Sequence, residues 1–208
     1  MTSFVHLKLH TEYSLIDGLL RIKPAMARVA ELAMPAVAIT DHHNFFGLLK
    51  AYKAAAAQGI KLIVGADLHV IDPSDQERHH ELCLLAQNEV GYQNLMLLLS
   101  EAYQQGQFLG RPRVQLDWVQ AHSDGLIALS GGRQGDGGQA LLHGREDDAR
   151  SSLQRWLQWF PNRYYLELQR TGRSDEEEYV HAAVALASEY ACPVVATNDV
   201  RFLDASEF

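Results

Sequence analysis

The sequence predicts a mixed α/β protein in which seven short strands alternate with helices and form a closed or nearly closed barrel. Two observations carry this prediction. Short apolar, β-branched runs alternate with longer segments of helical period, and acidic or histidine residues follow several of those runs. In barrels of this kind the carboxyl ends of the strands face one mouth, where functional groups collect. A doubly wound open sheet is the alternative, because a single sequence fixes elements better than topology.

The predicted elements follow one another in a regular order. Short apolar runs predict strands at 4–10, 36–40, 61–71, 81–87, 125–130, 164–169 and 193–198. Apolar residues with helical spacing predict helices at 22–34, 47–58, 90–106, 146–160 and 176–190. Pro24 falls in the first turn of its helix, where proline is tolerated. The polar segment 72–80 is predicted to be a loop, and 107–115 an irregular connector.

The first predicted strand carries three polar side chains on one face. Because side chains alternate along a strand, His6, Lys8 and His10 point together, with apolar neighbours on the opposite face. A strand with a polar inner face usually lines a site. We interpret His6 as a histidine under the barrel floor and expect the site near His10.

Acidic and imidazole side chains also follow the later strands, or lie in a turn after the first. They are Asp17, Asp41, His42, Asp67 and Asp199. Mixed histidine and carboxylate ligands suit zinc, manganese or iron, and two or three such ions can hold a phosphoester while generating hydroxide. The combination therefore predicts a metal-type site at the barrel mouth.

Other polar clusters receive structural interpretations. His79 and His80 lie in a charged segment and are expected to be solvated, and His69 has no partner at ligand spacing. The acidic run 175–178 is interpreted as a helix N-terminus, where carboxylates complement the helix dipole.

Composition excludes several classes of protein. The chain has 208 residues, 47% of them hydrophobic, which suffices for a full core. Its net charge of −8 argues against the binding of nucleic acid through a broad basic surface. Its two cysteines form neither a CxxC pair nor a disulfide framework, and no apolar run is long enough to span a membrane. We expect a cytoplasmic protein.

Five sequence blocks together resemble one known family. FVHLKLHTEYSLIDG, AVAITDHHNFFG, GIKLIVGADLHV, GYQNLMLLLSEAY and PVVATNDVRFL are similar, block by block, to the PHP (polymerase and histidinol phosphatase) domain that opens bacterial DNA polymerase III alpha subunits. The resemblance spans essentially the whole chain. It implies a distorted (β/α)7, TIM-like barrel, and a single domain over 1–208 that is the N-terminal part of a longer polymerase subunit.

The resemblance also implies a ligand set. Intact family members hold three metal ions with nine ligands, and the matching positions here are Lys8, His10, Asp17, His42 (after Asp41), Asp67, Glu81, Gly132, Asp199 and Arg201. At the sixth position His80 is an alternative to Glu81. Lys8, Gly132 and Arg201 offer no ligand atom, because ammonium and guanidinium groups are donors without a free lone pair at neutral pH. The set is therefore degenerate, with no catalytic residue expected.

We hypothesise that Lys8 and Arg201 replace the metal ions electrostatically and keep the neighbouring acids ionised. No cofactor is then expected, or one residual zinc, manganese or magnesium ion held by His10, Asp17, His42, Asp67 and Asp199. The resemblance implies a structural module that docks the proofreading exonuclease subunit and supports the rest of the alpha subunit. Contact with DNA occurs through the whole replicase, and none with membranes is expected.

Two enzymatic alternatives stay open. One is a free-standing metal-dependent phosphoesterase with phosphatase or pyrophosphatase activity, and the other is a 3'–5' exonuclease. The nucleotidyl-transfer site of a polymerase is expected beyond residue 208. Phe45, Phe46, Trp156 and Trp159 are candidate interface aromatics, although core packing is the simpler role.

Overall fold

A computed structural model of the chain describes residues 4–72, 75–204 and 206. In this part of the chain, none of the helices has the length and apolar character needed to cross a membrane.

The described residues form seven α-helices: α1 Ile22–Glu31, α2 Leu48–Ala57, α3 Glu89–Gln104, α4 Leu116–Ala121, α5 Asp136–Leu142, α6 Glu146–Trp159 and α7 Glu176–Glu189. Five of them match predicted helices. Helices α4 and α5 have six and seven residues, too few turns to produce a readable apolar period.

Eight strands are found in the same described residues: β1 Ala36–Ile39, β2 Lys61–Asp72, β3 Asp75–Ala86, β4 Gln107–Phe108, β5 Arg111–Pro112, β6 Leu126–Leu129, β7 Tyr164–Leu168 and β8 Val194–Ala196. Six of them form one sheet in the order β1-β2-β3-β6-β7-β8, and β4 and β5 pair with each other. Strand β3 runs antiparallel to both of its neighbours, and the other pairs in the large sheet are parallel. The fold is therefore mixed α/β, as predicted.

The N-terminal segment joins the two edges of this sheet. The backbone oxygens of His6 and Leu9 accept hydrogen bonds from Ala38 and Thr40, beside β1. On the other side, the His10 amide donates to the oxygen of Val200, beyond β8. Residues 4–10 were predicted as a strand; they run alongside β1 without forming a continuous ladder, and Leu9 makes an isolated parallel bridge to Val200. The sheet is thus curled, with its edges linked through this segment.

The loop prediction for 72–80 is wrong. Asp72 ends β2 and residues 75–80 form the first half of β3, paired as an antiparallel hairpin in which Val70 opposes His80 and Ile71 opposes His79. Residues 73 and 74 of the predicted loop lie outside the described part of the chain. The polar composition reflects a ribbon exposed to solvent, in which backbone groups are satisfied by pairing whatever the side chains are.

Side-chain alternation divides the strands between two environments. In β3, Leu82 and Leu84 belong to the large core that packs against the helices. Cys83 and Leu85 belong to a smaller apolar cluster with Ala38 and Leu129, inside the curl of the sheet. Because residues two apart share a face, Glu81 points to the same inner side as Cys83. The interior of the curl thus has an apolar floor below a polar rim.

Candidate functional site

The polar rim is centred on a fully buried lysine. Lys8 is 2% exposed, and its Nζ lies 3.2 Å from Oδ2 of Asp67 and 3.1 Å from Oε2 of Glu81. Burial alone would lower the pKa of Lys8, but Asp67 and Glu81 outweigh it and hold the pKa well above its ordinary value. Burial would raise the pKa of Asp67, yet Lys8 and His10 keep it below its usual range. This part of the site is a buried ion network.

A second cation closes the site near the surface. The Arg201 Nε lies 2.9 Å from Oδ1 of Asp199, and its Nη1 contacts Oδ2 of Asp17. Although burial opposes it, hydrogen bonding to Arg201 lowers the pKa of Asp199 to about 2. Burial alone would lower the pKa of Arg201, but Asp199 and Asp17 outweigh it and raise the pKa. A further guanidinium, that of Arg173, reaches Oδ2 of Asp199 at 2.9 Å.

Two histidines and an aspartate lie between the cations. His10 Nε2 is 2.8 Å from Oδ2 of Asp67, and the rings of His10 and His42 stack with centroids 4.3 Å apart. His42 Nε2 is 3.5 Å from Oδ2 of Asp17. Burial and the neighbouring His10 lower the pKa of His42. Within the described residues, His10, His42 and Asp67 form the group whose ligand atoms all lie within 4.8 Å of one another.

Asp41 has a supporting position. Its carboxylate accepts hydrogen bonds from the Thr11 amide at 2.6 Å, the Thr11 hydroxyl at 2.7 Å and the Ser14 hydroxyl at 2.8 Å. With its oxygens committed in this way, Asp41 holds the turn Glu12–Ser14 against the end of β1. It therefore orients the site without pointing a free oxygen into it.

Of the other predicted positions, Glu81 and Gly132 lie at the site, whereas His80 does not. Glu81 points inward to Lys8, whereas His80 lies on the other face of the hairpin, 3.1 Å from Asp72. Gly132 has a φ of +58°, and an added Cβ would lie 3.6 Å from Oε1 of Gln169. Gln169 thus borders the space in which a side chain at position 132 would begin.

Several residues at the site were not predicted from the sequence. His69, interpreted as a scattered histidine, lines a cavity of about 480 Å³ at the mouth together with Asp17, His42, Glu81, Arg111 and Arg201. Its ring centroid is 4.2 Å from that of His79, and burial with His79 lowers its pKa to about 4. Strand alternation carried the missing signal, because His69 follows Asp67 by two residues and shares its face.

His43 belongs to the same cluster. It is 4% exposed, has a φ of +53°, and its Nε2 accepts the His69 amide at 3.1 Å. Burial and His69 hold the pKa of His43 well below its ordinary value. His43 is therefore a neutral ring that anchors β2 to the end of β1.

A buried carboxyl lies below the cations. Glu167 is fully buried, and its Oε1 accepts hydrogen bonds from Gln169 Nε2 at 2.9 Å and from the Thr197 hydroxyl. Burial raises the pKa of Glu167. Glu167 was not predicted as a site residue, because its place in the strand YYLEL does not indicate that its carboxyl is buried beside Gln169 and Thr197.

The chain with this site matches a known protein family. A family model described as the PHP domain matches residues 6–171. The chain belongs to the PHP domain family. The resemblance inferred from the sequence blocks is thereby confirmed, and the match includes the site positions from Lys8 to Gly132.

The PHP chain also matches curated proteins. It is 52% identical over 206 residues to the DNA polymerase III subunit alpha of Escherichia coli strain K12, and 50% identical over 206 residues to that of Pseudomonas aeruginosa. Each match covers 99% of this chain and 18% of the relative. The chain thus spans less than a fifth of the length of these curated relatives.

Solved structures share the fold at low sequence identity. A candidate metal-dependent phosphoesterase from Bifidobacterium adolescentis superimposes with a TM-score of 0.65 and 13% identity, covering 97% of this chain and 89% of that one. An amidohydrolase from Chromobacterium violaceum gives a TM-score of 0.57 and 16% identity, covering 95% of this chain and 87% of that one. These likenesses support the PHP fold alone.

Proposed function

We propose that this PHP domain is part of a replicative DNA polymerase III alpha subunit and is a catalytically degenerate structural module. The nucleotidyl-transfer activity belongs to the remainder of the subunit, outside this chain. Support comes from the identity of about half over nearly the whole chain with alpha subunits of two bacteria. We also propose that the domain extends over 1–208 and that its fold is a distorted (β/α)7, TIM-like barrel in which residues 4–10 take the place of the closing strand.

One observation carries the proposal of degeneracy. Lys8 lies between Asp67 and Glu81, and Arg201 between Asp17 and Asp199. Four carboxylates therefore surround two side-chain cations that have no lone pair to offer a metal ion. We propose that the two cations neutralise these carboxylates in place of divalent ions, so that a complete three-ion cluster does not form. Gly132 is the third degenerate position.

The proposed partners are proteins. A module without hydrolytic activity can still function as a rigid surface for protein binding. We propose that this surface binds the proofreading exonuclease subunit and the rest of the alpha subunit. DNA is reached through the assembled replicase, in keeping with the net charge of −8 on this chain. The cytoplasm is the proposed location.

A binding experiment tests this assignment. The purified chain is mixed with the proofreading exonuclease subunit of the same organism and analysed by analytical size exclusion, with and without EDTA. We expect a complex of equal affinity in both buffers, because Lys8 and Arg201 stabilise the site without metal. A complex that dissociates in EDTA, or no complex at all, would contradict the proposed role; the exonuclease alone in EDTA serves as the control for its own folding.

A second candidate function, a residual single-ion site, is favoured by the hydrogen bonds of His10. The Ser14 hydroxyl donates to Asp41, so it accepts from His10 Nδ1 at 3.1 Å. His10 Nδ1 then carries a proton, which leaves Nε2, 2.8 Å from Oδ2 of Asp67, as the ring nitrogen that can offer a lone pair to a cation. The same oxygen of Asp67 also pairs with Lys8 at 3.2 Å. A divalent ion bound beside Nε2 and this carboxylate would receive a lone pair from each.

These residues fit a divalent ion. His10, His42 and Asp67 would hold it, and Ser14 would orient His10, as outer hydrogen bonds commonly do for metal ligands. When bound, such an ion supplies polarisation of a phosphoester and a water of lowered pKa. The chain's residues would then support weak phosphatase, pyrophosphatase or 3'–5' exonuclease activity. Asp17 and Asp199 are less suited as ligands, because Arg201 already pairs with both.

Metal titration tests this second candidate. Zinc or manganese added to protein purified without chelator is expected to raise the melting temperature by a few degrees, since a ligand bound only by the folded state stabilises it. His10→Gln should abolish the shift, whereas His181→Gln, on the exposed surface of α7, should leave it unchanged. Identical melts in EDTA and in metal would eliminate the residual site.

A further inference from the structure

The loop between β7 and α7 is built around one buried carboxylate. Glu176, 2% exposed, accepts hydrogen bonds from the amides of Thr171 at 2.6 Å, Gly172 at 2.8 Å and Arg173 at 3.2 Å. The Thr171 hydroxyl donates to its other oxygen at 2.5 Å. Burial would raise the pKa of Glu176, but these donors outweigh it and lower the pKa. The carboxylate therefore fixes three consecutive residues of the loop.

This fixed loop delivers Arg173 to the site. Arg173 Nη2 lies 2.9 Å from Oδ2 of Asp199, while Arg201 Nε lies 2.9 Å from Oδ1 of the same carboxylate. Both oxygens of Asp199 thus accept a guanidinium hydrogen bond. Asp199 Oδ1 is also 3.7 Å from His10 Nε2, which places this carboxylate at the border of the His10, His42 and Asp67 group.

We propose that Arg173, positioned by Glu176, is a third substituting cation that keeps Asp199 from acting as a metal ligand. This inference rests on the residual single-ion site proposed above and adds its control: the loop sets the affinity of that site for divalent cations. Arg201 stays on Oδ1 of Asp199 when Arg173 is removed, so the change frees Oδ2 and leaves the carboxylate with one guanidinium partner where it had two. It also removes one positive charge near the ion, and both changes strengthen the binding of a divalent cation.

The same loop offers a matched comparison. Arg170 carries the same charge and forms an exposed ion pair with Glu177, at 2.8 Å, with both side chains about two-thirds exposed. In the described part of the chain, the ion pair and the hydrogen bond of Arg170 both go to Glu177 and not to a residue of the site. An effect of general surface charge would appear equally in Arg170→Ala and Arg173→Ala. An effect through Asp199 would appear in Arg173→Ala alone.

The experiment measures zinc affinity directly, by competition with a chromophoric chelator, in the wild-type chain and in both alanine variants. Arg173→Ala is expected to bind zinc about tenfold more tightly than the wild type, from the loss of one nearby repulsive charge after screening. Arg170→Ala should bind as the wild type does. In Arg173→Ala/Asp199→Asn the gain should disappear, because the loss of the Asp199 negative charge offsets the loss of the Arg173 positive charge and the freed carboxylate oxygen is absent.

A second variant addresses the positioning role. Glu176→Gln removes the charge that holds the loop amides, so it should raise zinc affinity in the same direction as Arg173→Ala and add nothing in the double variant. Equal affinities of wild type and Arg173→Ala would overturn the inference while leaving the residual site intact. If neither the wild type nor Arg173→Ala binds zinc, both the inference and the residual site are wrong. The scaffold proposal is still tested by the stability of the Lys8 variants.

Discussion

Replacing Lys8 by methionine is expected to lower the free energy of unfolding by about 3–5 kcal/mol, because a buried ion network that loses one partner keeps an uncompensated charge. Methionine has a similar length and retains most of the packing, so the loss reports on the ammonium group. Asp67, 1% exposed, would face Glu81 without the cation 3.2 Å away that now separates them electrostatically. Urea denaturation at neutral pH measures the change.

Two further variants identify the cause. In Lys8→Met/Asp67→Asn the buried negative charge is removed as well, and we expect part of the lost stability to return. Lys61→Met changes an exposed lysine at the start of β2 and should alter stability by less than about 0.5 kcal/mol. A change below about 1 kcal/mol in Lys8→Met would contradict the idea that this lysine substitutes for a metal ion.

Most of the regular elements could be predicted because their patterns are periodic. Strands β1, β6 and β7 are short apolar runs, and α3 and α6 have apolar residues at helical spacing over at least three turns. The hairpin tip could not be predicted in this way. Residues 73 and 74 lie outside the described part of the chain, and the described residues 77–80 are all polar. Backbone pairing of this part of β3 with β2 leaves no trace in hydrophobicity.

The candidate site was predictable where it depends on strand alternation and strand ends. His10, Asp67 and His42 follow from these two rules, and the structure brings them within ligand distance of one another. Arg173 was not predictable, because its approach to Asp199 depends on a loop shaped by the carboxylate of Glu176. The acidic run at 175–178 was interpreted only as a helix N-terminus, which describes its position but not the three amides that Glu176 binds.

Restoring imidazoles at the two cation positions is expected to convert the site into a strong metal centre. In Lys8→His/Arg201→His, two positive charges are lost and two lone-pair donors are gained beside Asp67, Glu81, Asp17 and Asp199. We expect zinc affinity to rise on the order of 100-fold or more, since both electrostatics and ligand number favour the ion. Equilibrium dialysis with elemental analysis measures occupancy.

The matching control, Lys8→Met/Arg201→Met, removes the same charges without adding donors, and it separates charge from coordination. Both double variants should be less stable than the wild type in EDTA, because their carboxylates repel one another there. Zinc at a hundred times its dissociation constant should return about 2.7 kcal/mol to the histidine variant, and much less to the methionine variant. If zinc stabilised neither, the carboxylates around Lys8 and Arg201 would not be arranged as a metal site, and charge replacement could not be the origin of this network.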